Sequence, residues 1–83
     1  MVAEENWSIS PERVRQFLLS QPDVIAIDAG FQYRTCWILL TPVEGTLMGK
    51  WKQPRTLVRL EGEELDVKQM QRRIFLQFLS AGG

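Results

Sequence analysis

Hydrophobic positions near the start of the chain follow a helical period. Val14, Phe17 and Leu18 recur at spacings of three and four residues, which predicts a helix over residues 11–20 with one apolar face. Ser10 is suited to the N-cap of this helix because its hydroxyl can accept a hydrogen bond from a free backbone N–H. The first predicted element is therefore a short amphipathic helix.

The middle of the chain is typical of β-strands, because short apolar segments alternate with turn-forming residues. The predicted strands cover residues 24–27, 33–40, 46–52 and 56–60. Whether residues 46–52 form one continuous strand stays open, so we expect three or four strands. Short connections favour antiparallel pairing. Both faces of the segment 33–40 are apolar near its end, which predicts a central strand covered on both sides.

The last part of the chain returns to a helical period. Asp66 is a candidate N-cap, and Gln69 stands three residues later, as in a capping box. A single stripe of apolar residues follows at spacings of three and four: Val67, Met70, Ile74 and Phe78. We expect this stripe to pack on the sheet.

Three further apolar residues, Phe75, Leu76 and Leu79, widen the hydrophobic surface of this last helix beyond the stripe. A surface helix usually has one apolar stripe and an otherwise polar circumference. The first helix could cover these residues, or a second copy of the chain could do so, because two-fold homodimers are the commonest oligomers. We expect them to form an interface, and a homodimer is the favoured prediction. Another protein remains an alternative partner.

The elements together predict an α+β fold: an N-terminal helix, an antiparallel meander of three to four strands, and a C-terminal helix packed on the sheet. The chain has 83 residues, of which 45% are hydrophobic and 24% charged, and its formal net charge is zero. This composition excludes an intrinsically disordered chain. We expect one small domain over residues 1–83, with flexible ends at residues 1–8 and 81–83.

Candidate chemistry is sparse. The chain has no His and one Cys, so a Cys- or His-rich metal site is excluded, and we expect no cofactor. Cys36 lies inside an apolar run, which favours a structural role. Asp23 and Asp28 flank the first predicted strand, but five residues along a strand place them on opposite faces. We therefore predict a protein without enzymatic activity.

Charge is segregated along the chain, although it sums to zero. A basic block in the second half contains Lys50, Trp51, Lys52, Arg55 and Arg59. Cations beside an aromatic ring are typical of single-stranded nucleic-acid binding, where cations follow phosphates and the ring stacks on a base. The same lysines could form a solvated strand edge or contact an acidic protein. The chain's pI of about 6.2 is low for a nucleic-acid-binding domain.

The longest apolar run covers five residues, 36–40, far fewer than the about 20 that a membrane helix needs. With one free cysteine and no export signal, we expect a cytoplasmic protein that does not enter membranes. The predicted function is a small non-enzymatic interaction or regulatory module, a homodimer that binds another protein. The alternative is a single-stranded nucleic-acid-binding protein.

Overall fold

A computed structural model describes the backbone of residues 1–43, 47–48, 51–52 and 55–81, and the side chains of residues 1–43 and 55–79. Seven strands and two helices follow one another within these residues. They are β1 (Val2–Trp7), α1 (Pro11–Leu19), β2 (Ile25–Ile27), β3 (Gly30–Tyr33), β4 (Cys36–Val43), β5 (Leu47–Met48), β6 (Trp51–Lys52), β7 (Arg55–Glu61) and α2 (Glu64–Ala81).

Five of the strands form one antiparallel sheet in the order β1-β7-β4-β3-β2. The first strand therefore pairs with the last one, and β4 lies at the centre between β7 and β3. In the register, Leu60 stands opposite both Ala3 of β1 and Ile38 of β4, and Phe31 of β3 stands opposite Ile38 from the other side. β5 and β6 pair in a separate two-stranded antiparallel sheet.

Both helices contribute to one core on a single face of this sheet. Val14 and Leu18 of α1 are buried in the same cluster as the predicted α2 stripe, and the sheet adds alternate residues. The sheet residues of this core are Phe31, Tyr33, Cys36, Ile38, Val58 and Leu60. The prediction that the C-terminal helix packs on the sheet is confirmed, and so is the α+β fold class.

The structure contains one of the two predicted helix N-caps. Ser10 caps α1 as predicted, since its Oγ accepts a hydrogen bond from the Arg13 backbone N at 3.4 Å. The predicted cap of α2 is wrong, because the helix begins at Glu64, before Asp66. The two side chains of the predicted capping box make tertiary hydrogen bonds instead: Asp66 accepts hydrogen bonds from Thr35, and Gln69 accepts one from the Tyr33 hydroxyl.

The single strand predicted over residues 33–40 is wrong. The chain turns at Arg34 and Thr35, so that Tyr33 stands opposite Cys36 in a two-residue hairpin. Neither residue is a usual former of such a turn, which favours Asn and Gly. Tyr33 consequently points to the core side with Cys36 and Ile38, whereas alternation along one continuous strand would place it on the same face as Trp37.

The sheet has five strands, not the predicted three to four, and α1 is preceded by a strand. That strand, β1, lies in the segment 1–8 for which the sequence indicated a flexible end. Its inward positions are Ala3, Glu5 and Trp7, so only one of them is a large apolar residue. Glu5 is satisfied by a hydrogen bond from Gln71 Nε2 at 3.0 Å.

The segment 46–52 does not form one continuous strand. Its described residues form β5 and β6, with Leu47 opposite Lys52 and Met48 opposite Trp51. At the other end of the connection, β4 continues through Pro42, where the sequence predicted a break. The register of β3 with β4 extends only to Ile38, so proline occupies a part of β4 with one unpaired side.

Candidate interaction surfaces

The outward side of the C-terminal half of α2 exposes three large apolar side chains. Phe75, Leu76 and Leu79 are 47%, 56% and 57% exposed, whereas the neighbouring Ile74 and Phe78 are buried. We call these three residues the α2 patch. Their exposure agrees with the expectation that the helix is more apolar around its circumference than the core requires.

The α2 patch is anchored at one side by aromatic contacts. The Trp7 ring meets Phe75 edge to face, with a centroid distance of 6.3 Å, and it also lies 6.4 Å from the Phe78 ring. Phe17 of α1 packs on the other side of Phe78 at 5.6 Å. Phe75 therefore helps to hold β1 against α2.

The β3–β4 turn is fixed to the start of α2 by one threonine. The backbone N and the Oγ1 of Thr35 donate to Asp66 Oδ2 at 3.2 and 2.6 Å, and the Glu63 backbone N donates to Thr35 Oγ1 at 3.1 Å. The hydrogen bonds from Thr35 are the main reason why the pKa of Asp66 is below its usual value. This cluster holds the neighbouring residue, Arg34, beside α2.

Beside this turn lies an open cavity of about 400 Å³, which we call the arginine pocket. Its lining comprises Tyr33, Arg34, Gln69, Arg72, Arg73 and Leu76. The guanidinium carbons of Arg34 and Arg73 lie 5.6 and 4.8 Å from the centroid of the Tyr33 ring, within the range of cation–π attraction. Leu76 belongs to both the arginine pocket and the α2 patch, so the two surfaces adjoin.

The arginines differ in their partners. Arg73 makes a bidentate pair with Asp23, with both N···O distances at 2.8 Å, and this pair lowers the pKa of Asp23. Asp23 is thus not merely a solvated strand end. Within the part of the chain whose side chains are described, neither Arg34 nor Arg72 has a carboxylate within ion-pair distance.

The sheet face opposite the helices, which we call the open sheet face, exposes two large apolar side chains: Trp37 of β4 is 51% exposed and Ile25 of β2 is 65% exposed. β4 is a central strand as predicted, but the prediction that it is covered on both sides is wrong at Trp37, whereas Leu39 on the same face is half-buried. Trp37 stands opposite Glu61 of β7. An apolar residue in a strand does not by itself show whether its face is covered.

The predicted nucleic-acid-binding residues are only partly described. Arg59 is on the open sheet face, where its guanidinium lies 3.5 Å from Glu4 and 3.7 Å from Glu61. Arg55 is half-buried at the start of β7. The side chains of Lys50, Trp51 and Lys52 lie outside the described residues, so their role stays a prediction.

The described residues offer little catalytic chemistry. Cys36 is a free, buried thiol, and burial raises its pKa, which disfavours the reactive thiolate. In the described part of the chain, no group of three or more Cys, Asp or Glu side chains could hold a metal ion. Among these same residues, no helix combines the length and apolarity needed to cross a membrane.

Comparison with protein-family models, with curated proteins and with solved structures gives no match for this chain. A function is therefore inferred from the surfaces themselves.

Proposed function

We propose that this protein is a non-enzymatic interaction module that forms a homodimer through the α2 patch and, as a dimer, binds another protein. One observation carries the proposal: Phe75, Leu76 and Leu79 are each about half exposed on one side of α2. Exposed contiguous apolar surface on a small protein marks an interaction site. A cytoplasmic location and the absence of enzymatic activity are parts of this proposal.

A second copy of the chain is the occupant that the chemistry of the patch favours. In a two-fold interface the same surface serves both partners, so the patch must be complementary to itself. An antiparallel pair of α2 helices centred near Leu76 would bring the apolar side chains of both copies together. The chain has no net charge, so two copies do not repel each other overall.

Sedimentation equilibrium of the wild-type chain and of Leu79→Asp tests the proposal. The wild type should have twice the 9.6 kDa chain mass, and the variant should sediment as a monomer because a carboxylate cannot be buried in the interface without a partner. Leu79 is exposed in the protomer, so the far-ultraviolet circular dichroism of the variant should stay native.

Leu19→Asp is the matched control, because Leu19 on α1 is 53% exposed and lies outside the α2 patch. This variant should remain dimeric. A monomeric wild type would overturn the homodimer, and a Leu79→Asp variant that stays dimeric would overturn the α2 patch as its interface. Complete unfolding of Leu79→Asp would show that the residue belongs to the core.

A further inference from the structure

We propose that the arginine pocket is a binding site for a phosphate group, carried as inorganic phosphate or as a small phosphate monoester. Three arginines, Arg34, Arg72 and Arg73, line one cavity of about 400 Å³, and the guanidinium groups of Arg34 and Arg73 lie over the Tyr33 ring, which also lines it. Guanidinium groups bind phosphate oxygens through two parallel N–H···O hydrogen bonds, which is why arginine is common wherever phosphate is recognised.

The charges around the pocket leave an excess of cations. The carboxylate of Asp23 is paired with Arg73, and Asp66 directs its carboxylate to Thr35. Three guanidinium groups beside the carboxylates of Asp23 and Asp66 leave a net charge of +1 around the pocket. A phosphate monoester is an anion with three acceptor oxygens, so it can accept hydrogen bonds from two guanidinium groups at once more readily than a carboxylate, which has two oxygens.

The backbone at Arg34 supports a binding role. Its φ angle of +54° lies in the left-handed region, where a side chain other than Gly, Asn or Asp is disfavoured. Residues held in such conformations concentrate at ligand-binding sites. Here the turn places a long cation beside the pocket, at a position where glycine would be less strained.

The remaining lining residues suit a phosphate ester. The Tyr33 hydroxyl donates to Gln69 Oε1 at 2.7 Å, which leaves the side-chain NH₂ group of Gln69 as a further potential donor. Leu76 provides an apolar wall that is 56% exposed. A phosphate bound by the arginines could therefore direct an apolar or aromatic ester group towards Leu76.

Titration of the ¹⁵N-labelled full chain at pH 7.5 and constant ionic strength tests the proposal by chemical-shift changes. The probes are inorganic phosphate, phenyl phosphate, acetate and chloride. Both phosphates should shift the amides of residues 33–35 and 69–76, with saturation, whereas acetate and chloride should not. Equal affinities for inorganic phosphate and phenyl phosphate would assign binding to the phosphate group alone. A higher affinity for phenyl phosphate would indicate that the Leu76 wall contacts the phenyl ring.

Two variants separate binding from folding. Arg72→Gln should weaken phosphate binding about tenfold or more, because it removes a charge-assisted contact. Arg34→Gly should weaken binding similarly while its far-ultraviolet circular dichroism stays native, since glycine readily adopts the left-handed backbone at this position. Arg13→Gln, which removes an exposed arginine on α1, is the control and should leave the affinity unchanged.

Three results would overturn the phosphate site. The wild type could bind neither phosphate, acetate could bind as tightly as phosphate, or Arg34→Gly and Arg72→Gln could bind like the wild type. Native circular dichroism and a cooperative thermal transition in Arg34→Gly would show that a loss of binding in that variant is not caused by unfolding. The contacts of the phosphate with the arginines do not require the dimer, whereas the Leu76 wall is open to an ester group only in the monomer, because the proposed dimer is centred near that residue.

Discussion

Asp66 is the residue that holds the β3–β4 turn against α2. Its carboxylate accepts hydrogen bonds from the backbone N and the side chain of Thr35, and the positive charge of Arg34 also favours the ionised form. Both effects lower the pKa of Asp66 in the folded protein. The ionised carboxylate therefore stabilises the fold, and this contribution depends on pH.

The folded-state pKa of Asp66 is below the unfolded value of about 3.9. The stabilisation should therefore be fully present above about pH 5 and should be lost as the pH falls through the folded-state pKa. Asp66→Asn should lower the midpoint of urea denaturation at pH 7, and the difference from the wild type should shrink at pH 3. Asp28→Asn, which removes the same charge from an exposed turn, is the control. A difference that is equal at both pH values would contradict this role.

At the scale of elements, a close backbone contact joins the β3–β4 turn to the junction between β7 and α2. The backbone of Gly62 passes so near the β3–β4 turn that a Cβ atom there would lie 2.4 Å from the Thr35 carbonyl oxygen and 2.8 Å from Cys36 Cα. Both neighbours are backbone atoms, which cannot rotate away as a side chain can. Any larger residue must therefore separate the turn from the junction.

Gly62→Ala should destabilise the protein by about 1–3 kcal/mol, because overpacking at a backbone contact forces the elements apart. Thermal and urea denaturation measure this change. Ser8→Ala, at an exposed bend, adds no atom to a packed region and should change stability by less than about 0.5 kcal/mol. A Gly62→Ala variant as stable as the wild type would show that the backbone at the junction can shift without a loss in the free energy of unfolding.

The elements that the sequence could predict are those whose own apolar pattern decides their position. The α2 stripe is buried as its spacing indicates, and Ser10 caps α1. β1 could not be found in this way, because the inward positions Ala3 and Glu5 carry no large apolar side chain and Gln71 satisfies Glu5. The turn at Arg34 escaped detection because contacts with distant residues, rather than local turn propensity, stabilise it.

The candidate surfaces also differ in whether one element or several elements form them. The sequence predicted the α2 patch because an excess of apolar residues on one helix is visible without any tertiary structure. It could not predict the arginine pocket, since Arg34 lies in the β3–β4 turn and Arg72 on α2, and the hydrogen bond between Thr35 and Asp66 that joins these elements is a tertiary contact. Sequence pattern therefore indicates surfaces within one element, whereas a site built between elements depends on contacts that no pattern shows.

At the scale of the whole molecule, the distribution of charge on the open sheet face disfavours the binding of nucleic acid. Arg59 on the open sheet face is accompanied by Glu4 and Glu61, and Trp37 stands opposite Glu61. Carboxylates at these positions oppose the approach of a phosphate backbone, whose affinity depends on unopposed cations. We therefore expect the open sheet face to bind no single-stranded nucleic acid.

Tryptophan fluorescence of the full chain, titrated with a single-stranded oligonucleotide at 20 mM and 200 mM salt, provides the measurement. We expect the contribution of Trp37, obtained as the difference between the wild type and Trp37→Phe, to show no quenching at either concentration, because stacking on a base would have to overcome the carboxylates beside Trp37. Saturable quenching at low salt that weakens steeply at high salt would instead establish the nucleic-acid alternative. In that event, quenching that persists in Trp37→Phe would point to another tryptophan. Weaker binding by the double variant Lys50→Gln/Lys52→Gln would assign the site to the predicted basic block, because removing two phosphate contacts must lower both the affinity and its dependence on salt.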